Sequence, residues 1–148
     1  MPNAYLDGLK MLARRELSEA QVRQRLARRD HDLDAIDDAV ARLKTEHAID
    51  DVRTATAIVR TEVSAKRRGR IRIEQALAKA GIRPSTSRQA IDDVFRSIDT
   101  DALITASLAR RLRGQIRDDR QFARLYRYLV GQGFEPDRVM KVLDSRRG

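Results

Sequence analysis

The side chains best placed to do chemistry in this 148-residue chain are cations. Lys66, Arg67, Arg68, Arg70 and Arg72 put five positive charges into seven positions of the stretch SAKRRGRIRIEQALAKAGI, Ser64 to Ile82. Arg117, Arg120, Arg124 and Arg127 then recur every three to four residues, the spacing of one helical face. Guanidinium forks suit phosphate and carboxylate equally well, so both sets fit a polyanion, and nucleic acid is the simplest one.

Other chemistries are thinly represented. Asp50 and Asp51 form a carboxylate pair, but aspartate at a helix start satisfies unpaired N–H groups. They are read as the cap of the fourth helical pattern, with Arg53 as a nearby partner holding the turn between repeats. His31 and His47 are the only histidines, and no third ligand candidate lies at metal spacing with them. The absence of cysteine removes disulfides, zinc fingers and thiol catalysis. With no phosphate loop and no triad either, an enzyme is the weakest class, and neither cofactor nor metal is expected.

Composition points the same way. The net charge of +9 is unevenly spread: residues 9–50 are neutral, with nine Lys/Arg against nine Asp/Glu. Residues 51–98 carry eleven against five, and residues 99–148 eleven against seven. A positive field in the last two-thirds favours a polyanionic partner, either naked or already coated with protein. Hydrophobic residues make up 41% and charged ones 36%, with only three Phe, three Tyr and no Trp, which favours several small helical cores over one large one. No apolar run approaches a membrane span, and MPNAYLDGLKML is no signal peptide, so a soluble, cytoplasmic protein is expected; a monomer is expected alongside.

These side chains must be positioned by helices, since helical periodicity dominates and nothing alternates long enough for a strand. Ser18 and Gln21 form a capping-box pattern ahead of Val22 and Leu26. Gly81 and Gly133 mark helix ends, and Pro84 and Pro136 are placed in the turns just beyond. Val22 and Leu26 before Asp30, Ile73 and Leu77 before Gly81, and Leu125 and Leu129 before Gly133 repeat at offsets of 51 and 52 residues. Each is flanked by further helical patterns. The spacing predicts an all-α protein, an elongated, curved array of three tandem three-helix repeats with about nine helices. The repeats are drawn at 1–49, 50–98 and 99–148, the second being the most basic.

Three segments carry a family resemblance. They are LARRELSEAQVRQRLARRDHD, AIDDVRTATAIVR and RGRIRIEQALAKAGI, the last with Gly69, Arg72, Ile73, Leu77, Gly81 and Ile82 in place. Together with RLYRYLVGQGFEPDRVMKVL, they resemble the RecX family of RecA regulators over essentially the whole chain. The chain departs from the pattern at Thr54, where the family has an aromatic residue, at Asp30 in place of a turn glycine, and at Leu17 in place of His or Tyr. The resemblance implies a helical arm lying in the groove of a RecA–single-stranded DNA filament. There it would hinder strand exchange, ATP turnover and coprotease activity, in recombination, DNA repair and SOS control. By that analogy Lys66, Arg67, Arg68, Arg70 and Arg72 face the filament groove.

Each cationic set also has a plainer reading. The basic run could be a solvated connector, although cations at a helix's positive end conflict with the dipole by roughly 0.3–1 kcal/mol per charge. A polyanion would compensate for that. The arginines at 117–127 could be an ordinary wet face, and Arg110, Arg111 and Arg113 suit the end of the seventh helix through its dipole. Arg146 and Arg147 are read as disordered. Phe134 is assigned to the core, and of Tyr126 and Tyr128, two apart, one is expected to be exposed. The function expected is a non-catalytic protein that binds RecA filaments and contacts DNA phosphates. The alternative is an autonomous DNA- or RNA-binding helical protein without an obligate protein partner.

Overall fold

The computed structural model describes residues 3–148; Met1 and Pro2, with which the non-signal reading of the N-terminus begins, lie outside them. Among the described residues the chain folds into nine α-helices. They are α1 (Ala4–Arg14), α2 (Glu19–Arg28), α3 (Leu33–Thr45), α4 (Asp51–Ser64), α5 (Arg70–Lys79), α6 (Pro84–Phe95), α7 (Thr100–Leu108), α8 (Asp119–Gly131) and α9 (Pro136–Asp144). Extended pairing is limited there to an isolated bridge between Ile116 and Arg147, so the all-α expectation holds. None of the described helices is long and apolar enough to cross a membrane.

Helix starts follow local chemistry. Ser18 Oγ accepts from Gln21 N at 3.1 Å while Gln21 Oε1 accepts from Ser18 N at 2.9 Å, so the capping box at α2 is complete. Asn3, Asp32, Asp99 and Asp118 cap α1, α3, α7 and α8 by the same logic. Pro84 and Pro136 were placed in turns by their sequence, but each is the first residue of the next helix. The first turn needs no N–H there, and the ring holds φ near the helical value. At the ends, Gly81 and Gly133 take φ of +77° and +97°, and Asp30 takes +65° in the glycine's stead.

The chain groups into two compact units. One comprises residues up to Ile58 with Leu77–Ala90, the other Val59–Ala76 with Ile91–Gly148, so the division falls inside α4, α5 and α6. In the first unit α1, α2 and α3 pack around Met11, Leu17, Val22, Leu26, Ile36, Val40, Leu43 and Ile49. In the second, α7, α8 and α9 pack on one another and bury Ile104, Leu108, Leu129, Phe134, Val139 and Leu143. Each such side chain contributes about 1.5–3 kcal/mol by leaving water. The small apolar set accounts for the scarcity of aromatics.

Candidate nucleic-acid interface

The basic run does not stand free. Lys66 Nζ lies 3.2 Å from Glu62 Oε2, and Arg68 Nη1 lies 3.1 Å from Glu62 Oε1. Glu62 is itself buried, its side chain 5% exposed. Arg67, with a left-handed φ of +51°, donates from Nη1 to the Ala106 carbonyl at 3.1 Å. Arg70 meets Asp92 at 2.9 Å and lies 5.0 Å above the Phe95 ring. Arg72 Nη1 donates to the Gly131 carbonyl at 3.1 Å. The cations crowding the start of α5 are therefore compensated from inside the unit, by a buried carboxylate and by carbonyls of α7 and α8. Lys66 and Arg70 keep 52% and 40% of their side chains exposed, so both still reach solvent beside their carboxylate partners.

Glycines make this docking possible. Gly69 N donates to the Gln132 carbonyl at 2.9 Å, and Ile71 N to the Gly133 carbonyl at 3.1 Å. Two N–H groups that α5 cannot satisfy internally thus seal two carbonyls at the end of α8. A β-carbon on Gly69 would strike the Gly133 carbonyl, and one on Gly133 would strike the backbone of Arg72. The Gly69, Arg72 and Ile73 pattern is accordingly a helix-to-turn joint.

The first unit has a matching joint 51 residues earlier. Ser18 Oγ donates to the Ala80 carbonyl beside Gly81. Asp50 Oδ1 accepts from Arg53 N at 3.1 Å and caps α4 as expected. Asp51 departs from that expectation: its Oδ1 accepts from Glu19 N at 2.9 Å and so closes the start of α2. Arg53 holds the turn, with Nη2 2.8 Å from Glu16 Oε1 and Nη1 2.9 Å from the His47 carbonyl. The Glu16 carboxylate raises the guanidinium pKa above its ordinary value. Two of the departures from the family pattern meet here, where the Thr54 hydroxyl lies 3.4 Å from the Leu17 carbonyl and both residues are buried.

The second arginine set is presented differently. Arg120, Arg124 and Arg127 lie on one face of α8, whereas Arg117 precedes its cap and is not part of the helix. All four are exposed, and among the described residues their side chains make no hydrogen bond or ion pair. Beside them Arg111 stacks 4.3 Å above the Tyr128 ring, and Arg111, Gln121, Arg124, Leu125 and Tyr128 line a cleft of about 340 Å³. Tyr126 and Tyr128 are both half-buried, so the two-residue offset did not expose either fully; Phe134 is in the core. Arg110 donates to the Ala65 carbonyl at 2.9 Å, while Arg113 is exposed. Arg146 and Arg147, read as disordered, are held: Arg146 Nη2 donates to the Gly114 carbonyl at 2.8 Å, and Arg147 lies 4.1 Å above Phe122.

The sequence concealed two features of the first unit. Lys10, Arg14, Arg15, Arg25, Arg28 and Arg29 converge with Met11 on a cleft of about 640 Å³. Block neutrality hid it, because the acids at 30–38 sit on the loop before α3 and on α3 itself. The signal available was the pair of doublets, Arg14–Arg15 and Arg28–Arg29, each at a helix end. Near the cleft, the Asp7 carboxylate accepts from the buried His31 ring at 2.7 Å and lies 3.6 Å from Arg29. The His31 hydrogen bond, reinforced by Arg29, holds Asp7 below its usual carboxylate pKa of 3.8. A depressed carboxylate stabilises the fold above its unfolded pKa and loses that contribution as pH falls through the folded one. Asp7→Asn is therefore expected to lower the urea midpoint at pH 7, with the difference from wild type shrinking below the ordinary carboxylate range. A difference that persists undiminished at pH 2 would assign Asp7 a purely steric role.

Comparison with known proteins bears on what these surfaces serve. The family model for the RecX first three-helix domain matches residues 4–43. The regulatory protein RecX of Chromohalobacter salexigens is 31% identical over 133 residues, covering 90% of this chain and 86% of the relative. That of Halorhodospira halophila is 33% identical over 135 residues, covering 89% and 81%. Among solved structures, the crystal structure of RecX from Lactobacillus salivarius superposes with a TM-score of 0.75 at 21% identity, over 96% of this chain and 93% of that one. A second regulatory protein RecX crystal structure gives a TM-score of 0.79 at 23% identity, over 96% and 70%.

Proposed function

Because the chain belongs to the RecX family of regulatory proteins, we propose that it binds RecA filaments on single-stranded DNA and restrains the recombinase without catalysing a reaction itself. The observation that carries this reading is the set of exposed, unpartnered cations at Arg117, Arg120, Arg124 and Arg127. Four like charges held in one region without a carboxylate partner gain nothing for the fold, and a phosphate backbone supplies what they lack. The basic run contributes less directly than its composition suggests. Its role is to seal the joint that orients α8, with Lys66 and Arg70 as the side chains still able to reach an anion. Filament contacts from the three repeats, and action as a monomer, belong to the same proposal.

The test is a titration into RecA assembled on single-stranded DNA, following RecA's ATP hydrolysis, with naked-DNA binding measured in the same buffer. Inhibition at concentrations well below those that bind naked DNA supports a filament-directed regulator. Tight naked-DNA binding with no effect on RecA overturns it in favour of an autonomous nucleic-acid binder. The triple substitution Arg120→Ala, Arg124→Ala and Arg127→Ala is expected to flatten the log–log salt dependence of DNA binding by about 2, from roughly 0.7 per lost phosphate contact on a single strand. An unchanged slope removes these arginines from the interface.

A further inference from the structure

The cationic cleft of the first unit is unaccounted for by either joint or stripe. Its walls come from the last turns of α1 and α2: Lys10, Arg14 and Arg15 on one side, Arg25, Arg28 and Arg29 on the other. Among the described residues the only apolar lining is Met11, which is buried, and no carboxylate lines the cleft. Cations at helix C-termini are favourable on their own, because each helix end carries about half a negative charge. Two ends offset about one of the six charges, and Asp7 offsets Arg29. About four positive charges remain facing one concavity with nothing to balance them. Folding alone has no use for that excess, since like charges held together repel.

The lining also restricts what can fill the cleft. Arginine and lysine are donors with no acceptor, so every polar side chain here is donor-only. A peptide brings one backbone N–H per residue and would find no side-chain acceptor for it. A phosphodiester backbone brings acceptors only, with one charge per nucleotide. No aromatic lines the cleft, so it offers no platform on which a base could stack and read sequence. We propose that this cleft is a sequence-independent phosphate-backbone subsite for single-stranded nucleic acid, a step that rests on the preceding reading only in taking nucleic acid as the partner. The first unit thereby becomes a direct contributor to nucleic-acid binding, in contrast to its neutral composition.

The experiment uses the full chain and a fluorescently labelled oligothymidylate, with anisotropy followed across a salt series. Arg25→Gln with Arg28→Gln should weaken binding by about tenfold at low salt and flatten the salt slope by about 1.4, two single-strand contacts' worth. Arg83→Gln with Arg88→Gln removes the same charge from exposed positions outside the cleft and is expected to change the slope by much less. Equal losses from the two pairs would overturn the proposal by reducing it to net charge, and no loss from the cleft pair would overturn it outright. Arg14→Gln with Arg15→Gln, on the opposite wall, repeats the test should the first pair impair folding. A glutamate polymer that competes per charge as well as unlabelled oligothymidylate reassigns the cleft to an acidic peptide and overturns the phosphate assignment. RecA ATP hydrolysis measured with the same variants separates the two readings. Inhibition of RecA by the wild type, with the Arg25→Gln, Arg28→Gln variant binding oligothymidylate as tightly as the wild type, sinks the cleft alone. The expected loss in the cleft pair, with no inhibition of RecA by the wild type, sinks only the filament reading.

Discussion

Glu62→Ala is expected to remove about 3 kcal/mol of unfolding free energy, the lower end of what losing one partner of a buried ion pair costs. The carboxylate is buried and takes both Arg68, at 3.1 Å, and Lys66, at 3.2 Å. Lys66 is half in water and contributes little, as exposed pairs do. Arg68 is the member at risk. Its side chain is 23% exposed, and its Nε has no hydrogen-bond partner among the described residues. Without Glu62 a largely buried guanidinium would have lost its anion. A chain of this size loses roughly 2–4 °C of Tm per kcal/mol, so a drop of about 6–12 °C is expected in a thermal scan. Adding Arg68→Leu to a Glu62→Leu background should recover most of that loss, because removing both charges removes the uncompensated one. A Glu62→Ala loss under 1 kcal/mol would show that water reaches this pair freely.

Gly133→Ala is expected to cost a comparable amount by a different route. A left-handed backbone costs a residue with a β-carbon roughly 1–2 kcal/mol, and forcing extra volume into a packed site adds about 1–3 kcal/mol. At Gly133 both apply, since φ is +97° and the new methyl would strike Arg72. Gly114 is the natural control: its φ is +80°, yet nothing lies within 4 Å of a β-carbon there. Gly114→Ala should therefore lose only the conformational part, and the difference between the two variants in urea unfolding measures the joint itself. Equal losses at the two sites would mean that α5 does not bear on the Gly133 turn.

Much of the fold was legible because helix ends advertise themselves in short side chains. Ser18, Asp50, Gly81 and Gly133 each do locally what their types imply. The prolines misled because the residue that stops one helix is equally suited to open the next, and only two or three residues separate the possibilities. The candidate site was legible in its charge and opaque in its partners. Arg67 and Arg72 are met by the carbonyls of Ala106 and Gly131, acceptors that every residue carries and no composition reveals. Arg68 is met by Glu62, six positions upstream on the preceding helix, and only the fold brings the two together. The first-unit cleft was lost in a sum: equal numbers of acids and bases in residues 9–50 say nothing about their being sorted onto different helices.

The joint between α5 and the Gly133 turn has a consequence for the nascent chain. At roughly 5–20 residues per second, the ribosome takes several seconds to travel from Gly69 to Gln132. Through that interval the opening amides of α5 have no carbonyl to meet, and Arg67 and Arg72 lack their acceptors for part or all of it. Lys66 and Arg68 can meet Glu62 from the outset, so part of the basic stretch is neutralised early, but the joint itself closes only when the last third of the chain arrives.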